Sequence, residues 1–286
     1  MCVISALKTK DGWVLAKNRD RVLDPNIEFK KFTKNGVEYR NFIDVDTGWS
    51  EGVNEYGMCI VNSTLMVHDD EKEQSKAIKK GSPVWHDGPF IKRALSQRDI
   101  KKAVKVIVDG DVFGHTLLTN GVDLYVVENV RRKIDIDGNG KKETVEHKMT
   151  WYKVEDSNLK YIVRSNHGET FEDAGYPINS EDGKSSRERR KAVESAIEKH
   201  NPKNIDELIF NCHEITSNKN SMLNPLREKG KCTVYTTGIV GLVPHERKLY
   251  YKPISCKMSY SVSEIEGHKT NYKVFEDNIT FESYLS

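Results

Sequence analysis

What this chain lacks narrows it first. No apolar run approaches the roughly 20 residues of a membrane-spanning helix. Charge of neither sign dominates: 45 Lys and Arg stand against 43 Asp and Glu, a formal net charge of +2, so a nucleic-acid partner has no electrostatic footprint. The basic stretch Ser186–Lys191 is mixed in sign and reads as the polar face of a helix. Neither a Gly-x-Gly-x-x-Gly fingerprint nor a Walker loop is present, which removes the common phosphate cradles. No low-complexity linker or internal repeat divides the 286 residues, so one domain over 1–286 is expected, with the tail beyond Gly267 unassigned. Five widely spaced cysteines (Cys2, Cys59, Cys212, Cys232, Cys256) include no CxxC pair. That pattern suits reduced thiols in a cytoplasm, not a disulfide framework or a zinc site. The expectation is a cytoplasmic protein with neither membrane nor nucleic acid as a partner; a homo-oligomer is compatible with it.

What is present begins at residue 2. Methionine is readily trimmed ahead of a small residue, and no secretory leader is read upstream. The expected mature chain therefore begins Cys2-Val3-Ile4-Ser5. A cysteine at the start of a chain carries its thiol and a free α-amino group on one carbon. The amine, with an ordinary pKa of roughly 7.7–8.0, can take the thiol's proton near neutral pH. The plainer reading is a small hydrophobe at the start of a strand.

Patterning supplies the surroundings. Cys2–Lys8 and Trp13–Ala16 read as strands joined by a hairpin on Asp11-Gly12. Gly48–Asn54 and Met58–Ser63 form a second pair. Helices are expected over Pro89–Leu95 and over Ile100–Val108, the latter behind Ser96 and Asp99. Strands follow at His115–Thr119, Leu124–Val130, Thr150–Val154 and Tyr161–Ser165. A helix over Ser186–Lys199, capped by Ser185 with Glu188, and another over Ile205–Cys212 behind Asn204 precede closing strands at Cys232–Leu242 and Lys248–Pro253. Strands and helix pairs in alternating blocks predict an α+β fold, a four-layer αββα sandwich of antiparallel sheets.

A hairpin on Asp11-Gly12 sets Cys2 opposite about residue 21 and delivers Lys17-Asn18-Arg19-Asp20-Arg21 to the thiol. Which of these side chains share its face stays open, because a one-residue slip reverses them. An Asp20 carboxylate could orient the ammonium or thiol, and a cation from Lys17 or Arg19 would favour the thiolate. A charged strand end on the surface is the alternative.

Several motifs, in order, resemble the N-terminal-nucleophile hydrolases of the choloylglycine hydrolase group, which includes penicillin V acylases and isopenicillin N acyltransferases. They are Cys2, Lys17-Asn18-Arg19-Asp20, Gly52-Val53-Asn54-Glu55-Tyr56-Gly57, Val61-Asn62-Ser63, Arg164-Ser165-Asn166-His167, Ser185-Ser186-Arg187-Glu188-Arg189 and Thr236–Val243. The resemblance implies the αββα fold and an amidohydrolase or acyltransferase that cleaves a linear amide through a thioester on Cys2, with no cofactor. It implies catalytic roles for Cys2, Asp20 and Asn166, and for Asn62 as an oxyanion donor. The family's arginine is Lys17 here, with Arg19 two places on, so the cationic role lies between them; Arg227 is the candidate for a later arginine. Trp49, Tyr56, Met58, Leu65 and Met66 could line an apolar cleft for a small-molecule amide. The start Met-Cys-Gly-Ile of class II glutamine amidotransferases is missing.

Asp135–Glu146 matches a twelve-residue calcium loop, with Asp135, Asp137, Asn139 and Glu146 as oxygen ligands and Gly140 at the turn. Strand-like flanks favour a Gly/Asn-rich hairpin turn instead. A non-catalytic αββα scaffold that binds a partner, with calcium at this loop, is the alternative to the enzyme.

Overall fold

The computed structural model describes residues 2–46, 48–65, 87–110, 112–134, 143–172, 174–260, 273–275 and 278–280. Two sheets form the centre. The first has the strand order β10-β1-β2-β11-β12, built from Tyr161–Arg164, Cys2–Thr9, Gly12–Arg21, Tyr235–Val243 and Lys248–Pro253. The second runs β13-β3-β4-β5-β6-β7-β8-β9. Its strands are Lys257–Tyr260, Asn26–Lys34, Val37–Asp44, Ser50–Asn54, Cys59–Ser63, Gly114–Thr119, Leu124–Ile134 and Glu143–Lys153. Pairing within both is antiparallel except where β13 runs parallel to β3. Two short strands, β14 (Lys273–Phe275) and β15 (Asn278–Thr280), pair in the tail beyond Gly267.

The alternation of side chains sorts three cores. Ile4 and Ala6 of β1 and Trp13 and Leu15 of β2 face Phe42, Val53, Cys59 and Val61 of the other sheet. The opposite side of β1 and β2, with Val3, Leu7, Val14 and Ala16, is covered by α3 (Glu181–His200) and α4 (Ile205–Leu208). Met58, Ile60 and Leu118 turn outward against α1 (Asp87–Leu95) and α2 (Ile100–Asp109). Helix, sheet, sheet and helix therefore stack as four layers, the αββα sandwich. Strand β1 is buried on both faces because each face meets a layer, so its sequence is apolar almost throughout. Among the described residues no helix is long and apolar enough to cross a membrane.

Some boundaries differ from the sequence expectation. Helix α3 begins earlier, with Ser180 accepting from Gly183 N, so Ser185 is not its cap. Ser185 and Ser186 lie inside the helix on its buried face, where their hydroxyls make tertiary bonds. Asp99 and Asn204 cap α2 and α4, and the Ile205–Cys212 segment passes from α-helix into a π turn over Ile209–His213. The β3–β4 hairpin, closed by Asn35 and Gly36 at φ 56° and 67°, is the double positive-φ turn that Asn-Gly favours. The first hairpin turns one residue earlier than expected. Thr9 pairs with Gly12 around Lys10-Asp11, which puts Cys2 opposite Arg19 and not residue 21. Gly12, at φ 114°, is required: a Cβ there would sit 2.3 Å from Gly121 O, which accepts from Trp13 N at 2.7 Å.

Candidate active site

The register of β1 and β2 decides which groups surround the thiol. Cys2 lies on the inter-sheet face with Ile4 and Ala6, and is 3% exposed. Lys17, Arg19 and Arg21 share that face, since Ile4 opposes Lys17 and Cys2 opposes Arg19. All three cations belong to the five-stranded sheet, and their carboxylates come from the other sheet. Lys17 Nζ bonds Glu51 Oε1 and lies 5.5 Å from the Trp49 ring centroid. Arg19 stands 3.2 Å from Glu51 Oε2 and 3.6 Å from Asp44 Oδ2. Arg21 Nε donates to the same Asp44 oxygen at 2.9 Å, and its Nη1 donates to Cys2 Sγ at 3.9 Å.

This setting favours the thiolate. Burial pushes the Cys2 thiol up, but Lys17, then the chain's α-amino group and Arg21, outweigh burial and hold it below its ordinary value. The contrast with the other cysteines is chemical. Burial pushes Cys59 well up and Cys212 up to about 12, and it raises Cys256. Burial likewise lowers Lys17 against the pull of Glu51, whereas Glu51 itself is held low by Arg19 and Lys17 despite its burial.

A second network reaches the backbone nitrogen of Cys2 from the opposite side. Cys2 N donates to Asn166 Oδ1 at 2.8 Å, and Arg189 Nη2 donates to the same oxygen at 3.1 Å. Arg189 Nη1 donates to Asp20 Oδ2 at 3.2 Å, while Thr236 Oγ1 donates to Asp20 Oδ1 at 2.8 Å. Asp20 thus touches Cys2 only through Arg189 and Asn166, because the pleat turns it to the helix side of β2. Burial pulls Arg189 down to about 10 against Asp20, and Arg227 adds to the lowering. Asn166 is fixed further by Nδ2 donating to Thr64 O at 2.6 Å and by its own N–H donating to Ser186 Oγ at 2.8 Å. Among the described residues the second N–H of that amide has no acceptor.

The expected residues therefore divide. Cys2, Lys17, Arg19, Asp20 and Asn166 come together at one end of the sandwich. Asn62 does not. On β6 it points with Ile60 toward the outer helices, and its Nδ2 donates to Thr116 Oγ1 at 2.9 Å and to Phe113 O at 3.2 Å. Position along β6 was expected at the site; strand parity places its side chain on the wrong face, and Ser63 faces inward to donate to Ser165 O at 2.9 Å. Met58 packs in the outer core and Tyr56 is exposed beside Arg98, so neither lines a cleft at Cys2; Leu65 packs with Phe113 and Ala174, while Trp49 does lie beside Lys17. Met66 lies outside the described residues. His167 bonds Ser186 and pairs with Glu169, away from the thiol.

Two residues were not assigned from sequence. Arg189 was visible only as the last letter of Ser185-Ser186-x-x-Arg189, and its partner Asp20 lies 169 residues away. Arg21 needed the register of β2, which the sequence left open. Of the candidate calcium ligands, Asp135, Asp137 and Asn139 lie outside the described residues, and Glu146 is described only as part of β9; β8 and β9 pair on either side of this segment as a hairpin.

No protein-family model matches the chain, and no curated protein matches it. Among solved structures it is similar to a penicillin V acylase from Agrobacterium tumefaciens, at 10% identity and a TM-score of 0.45, covering 88% of this chain and 83% of that one. It is also similar to a Caenorhabditis elegans ortholog of N-acylethanolamine-hydrolyzing acid amidase, at 13% identity and a TM-score of 0.47, covering 85% and 93%. At this distance a likeness says nothing of chemistry, which the residues around Cys2 must carry.

Proposed function

We propose that this chain, with the peptide bond ahead of Cys2 cut, is an N-terminal-cysteine amidohydrolase or acyltransferase. The supporting observation is the double setting of one residue: a thiol held low by Lys17 and Arg21, and a nitrogen bonded to Asn166. The freed amine takes the thiol proton, and sulfur attacks a linear amide carbonyl. Asn166 Nδ2, with its spare N–H, stabilises the oxyanion in place of the expected Asn62. The protonated amine then gives its proton to the leaving nitrogen, releasing an amine and leaving a thioester. Water resolves it to an acid and the free thiol; a second amine in place of water makes the reaction acyl transfer. Lys17 serves as the near cation and Asp20 as the anchor of Arg189, which orients Asn166.

The test is acyl-enzyme trapping. Protein beginning at Cys2 is incubated with p-nitroanilide amides and analysed by intact mass and peptide mapping. The expected result is one acyl group on Cys2, nitroaniline release, and loss of both in Cys2→Ala with folding intact. Release that persists in Cys2→Ala overturns the proposal.

A further inference from the structure

The cations around the thiol outnumber the carboxylates that answer them. Lys17, Arg19 and Arg21 share Glu51 and Asp44, and one oxygen, Asp44 Oδ2, serves both arginines. Arg19 is wholly buried, yet its Nε and both Nη make no hydrogen bond among the described residues; its two ion pairs are close in distance only. Arg21 Nε and Nη1 are engaged with Asp44, the Asp20 carbonyl and the thiol, and the side chain remains 18% exposed. A buried guanidinium whose ion pairs leave its N–H groups without hydrogen bonds is costly, and those donors suit a further acceptor of matching geometry.

The flanks of β1 tell where that acceptor belongs. Strand β1 lies between β10 and β2. Asn166, just beyond β10, holds the Cys2 nitrogen on one flank, and Arg19 and Arg21 stand on the other. The leaving nitrogen must lie near the α-amine that protonates it. The acyl carbon on Sγ therefore extends its substituent over the β2 flank, toward the two arginines.

We infer that the site takes amides whose acyl part ends in a carboxylate, a linear dicarboxylic acid joined through one end, with the free carboxylate held by Arg21 and Arg19. This rests on the reading of Cys2 as the nucleophile. Two guanidinium forks on adjacent same-face positions of one strand suit a planar carboxylate, whereas an uncharged acyl end leaves Arg19's donors unmet.

The experiment compares succinyl, glutaryl and adipoyl p-nitroanilides with their terminal-amide counterparts, which match them in shape without the charge. Protein beginning at Cys2 is used, with Arg21→Gln and Arg21→Lys, and kcat/KM is measured for each pair. At least one acid is expected to exceed its uncharged counterpart by about tenfold or more. Arg21→Gln should bring the ratio near unity, and Arg21→Lys should retain part of it. Equal or better turnover of the uncharged partners, or a ratio that Arg21→Gln leaves unchanged, overturns the inference while the nucleophile stands. If no member of either set forms a thioester on Cys2, the nucleophile reading fails and this inference with it.

Discussion

The nitrogen of Cys2 and the side-chain oxygen of Asn166 meet at 2.8 Å across 164 residues of chain. Arg189 closes on the same oxygen from α3 and ties it to Asp20 on β2. Strand, loop and helix thus converge on the atom that the proposed mechanism uses as its amine.

Replacing Asn166 with alanine removes both this acceptor and the proposed oxyanion donor. Loss of such a donor costs about 2.7–4 kcal/mol of barrier. We expect kcat/KM to fall by roughly two to three orders of magnitude. Steady-state kinetics beside a circular dichroism spectrum checks that chemistry, and not the fold, is lost.

Asn62→Ala should behave in the opposite way. Its bonds to Thr116 and Phe113 lie on the outer face of the sheet. About 1–3 kcal/mol of stability should disappear, since buried acceptors lose their donor, while turnover stays within about twofold of the parent. A collapse of kcat in a folded Asn62→Ala protein would restore it to the site.

Alkylation should single out Cys2. Lys17 and Arg21 hold its thiol down, while Cys59, Cys212 and Cys256 are raised by burial. In a Cys232→Ser background, iodoacetamide at neutral pH should label Cys2 first, scored by peptide mapping. Arg21→Gln removes a cation beside the thiolate, so the pH midpoint of labelling should move up and the neutral-pH rate should drop.

Acid should destabilise the fold through two buried imidazoles. His213 sits between Ser5 Oγ at 2.8 Å and Asn18 Oδ1, and burial lowers it to about 3; His115 is likewise lowered to about 4. Both rings are neutral when folded, whereas unfolded histidine protonates near 6.5. Their contribution is therefore complete above pH 6.5 and declines as pH falls from there toward 4 and then 3. Each should cost about 1.4 kcal/mol per pH unit in that window. Urea midpoints measured from pH 7.5 to 4.5 should fall, less steeply in His213→Gln.

Removing Glu51 should be worse than removing the whole cluster's exposed member. Glu51→Gln leaves Lys17 and part of Arg19 buried without a countercharge, a loss of about 3–5 kcal/mol. Denaturant titration against Arg21→Gln, whose side chain is partly exposed, checks the order.

Much of the sandwich was legible because strand parity and helix caps are local. Asn204 was readable as a cap, and β12 falls on the expected Lys248–Pro253; of the expected Ser96 and Asp99 pair only Asp99 caps α2, while Ser96 Oγ donates back to Arg93 O. Cys2, Lys17, Asp20 and Asn166 could be nominated because chemistry restricts which residue types serve. Their faces were left open because a one-residue slip would reverse them; the observed register differs from the expected one by two residues, which keeps the parity and leaves Lys17, Arg19 and Arg21 on the Cys2 face. For Asn62 the missing information was parity on its own strand: its side chain turns to the outer face of β6, toward Thr116 and Phe113. Arg189 was hidden because its meaning depends on a helix docking against β2, which no local pattern states.

The ionic contacts at the thiol end join one sheet to the other, whereas the far end, around Trp13 and Leu15, is held by apolar packing and the bond from Trp13 N to Gly121 O. Protonation would thus loosen the sandwich like a clasp released at one end. The arginines would be left facing each other while the greasy hinge stays shut, so activity should vanish before the molecule comes apart.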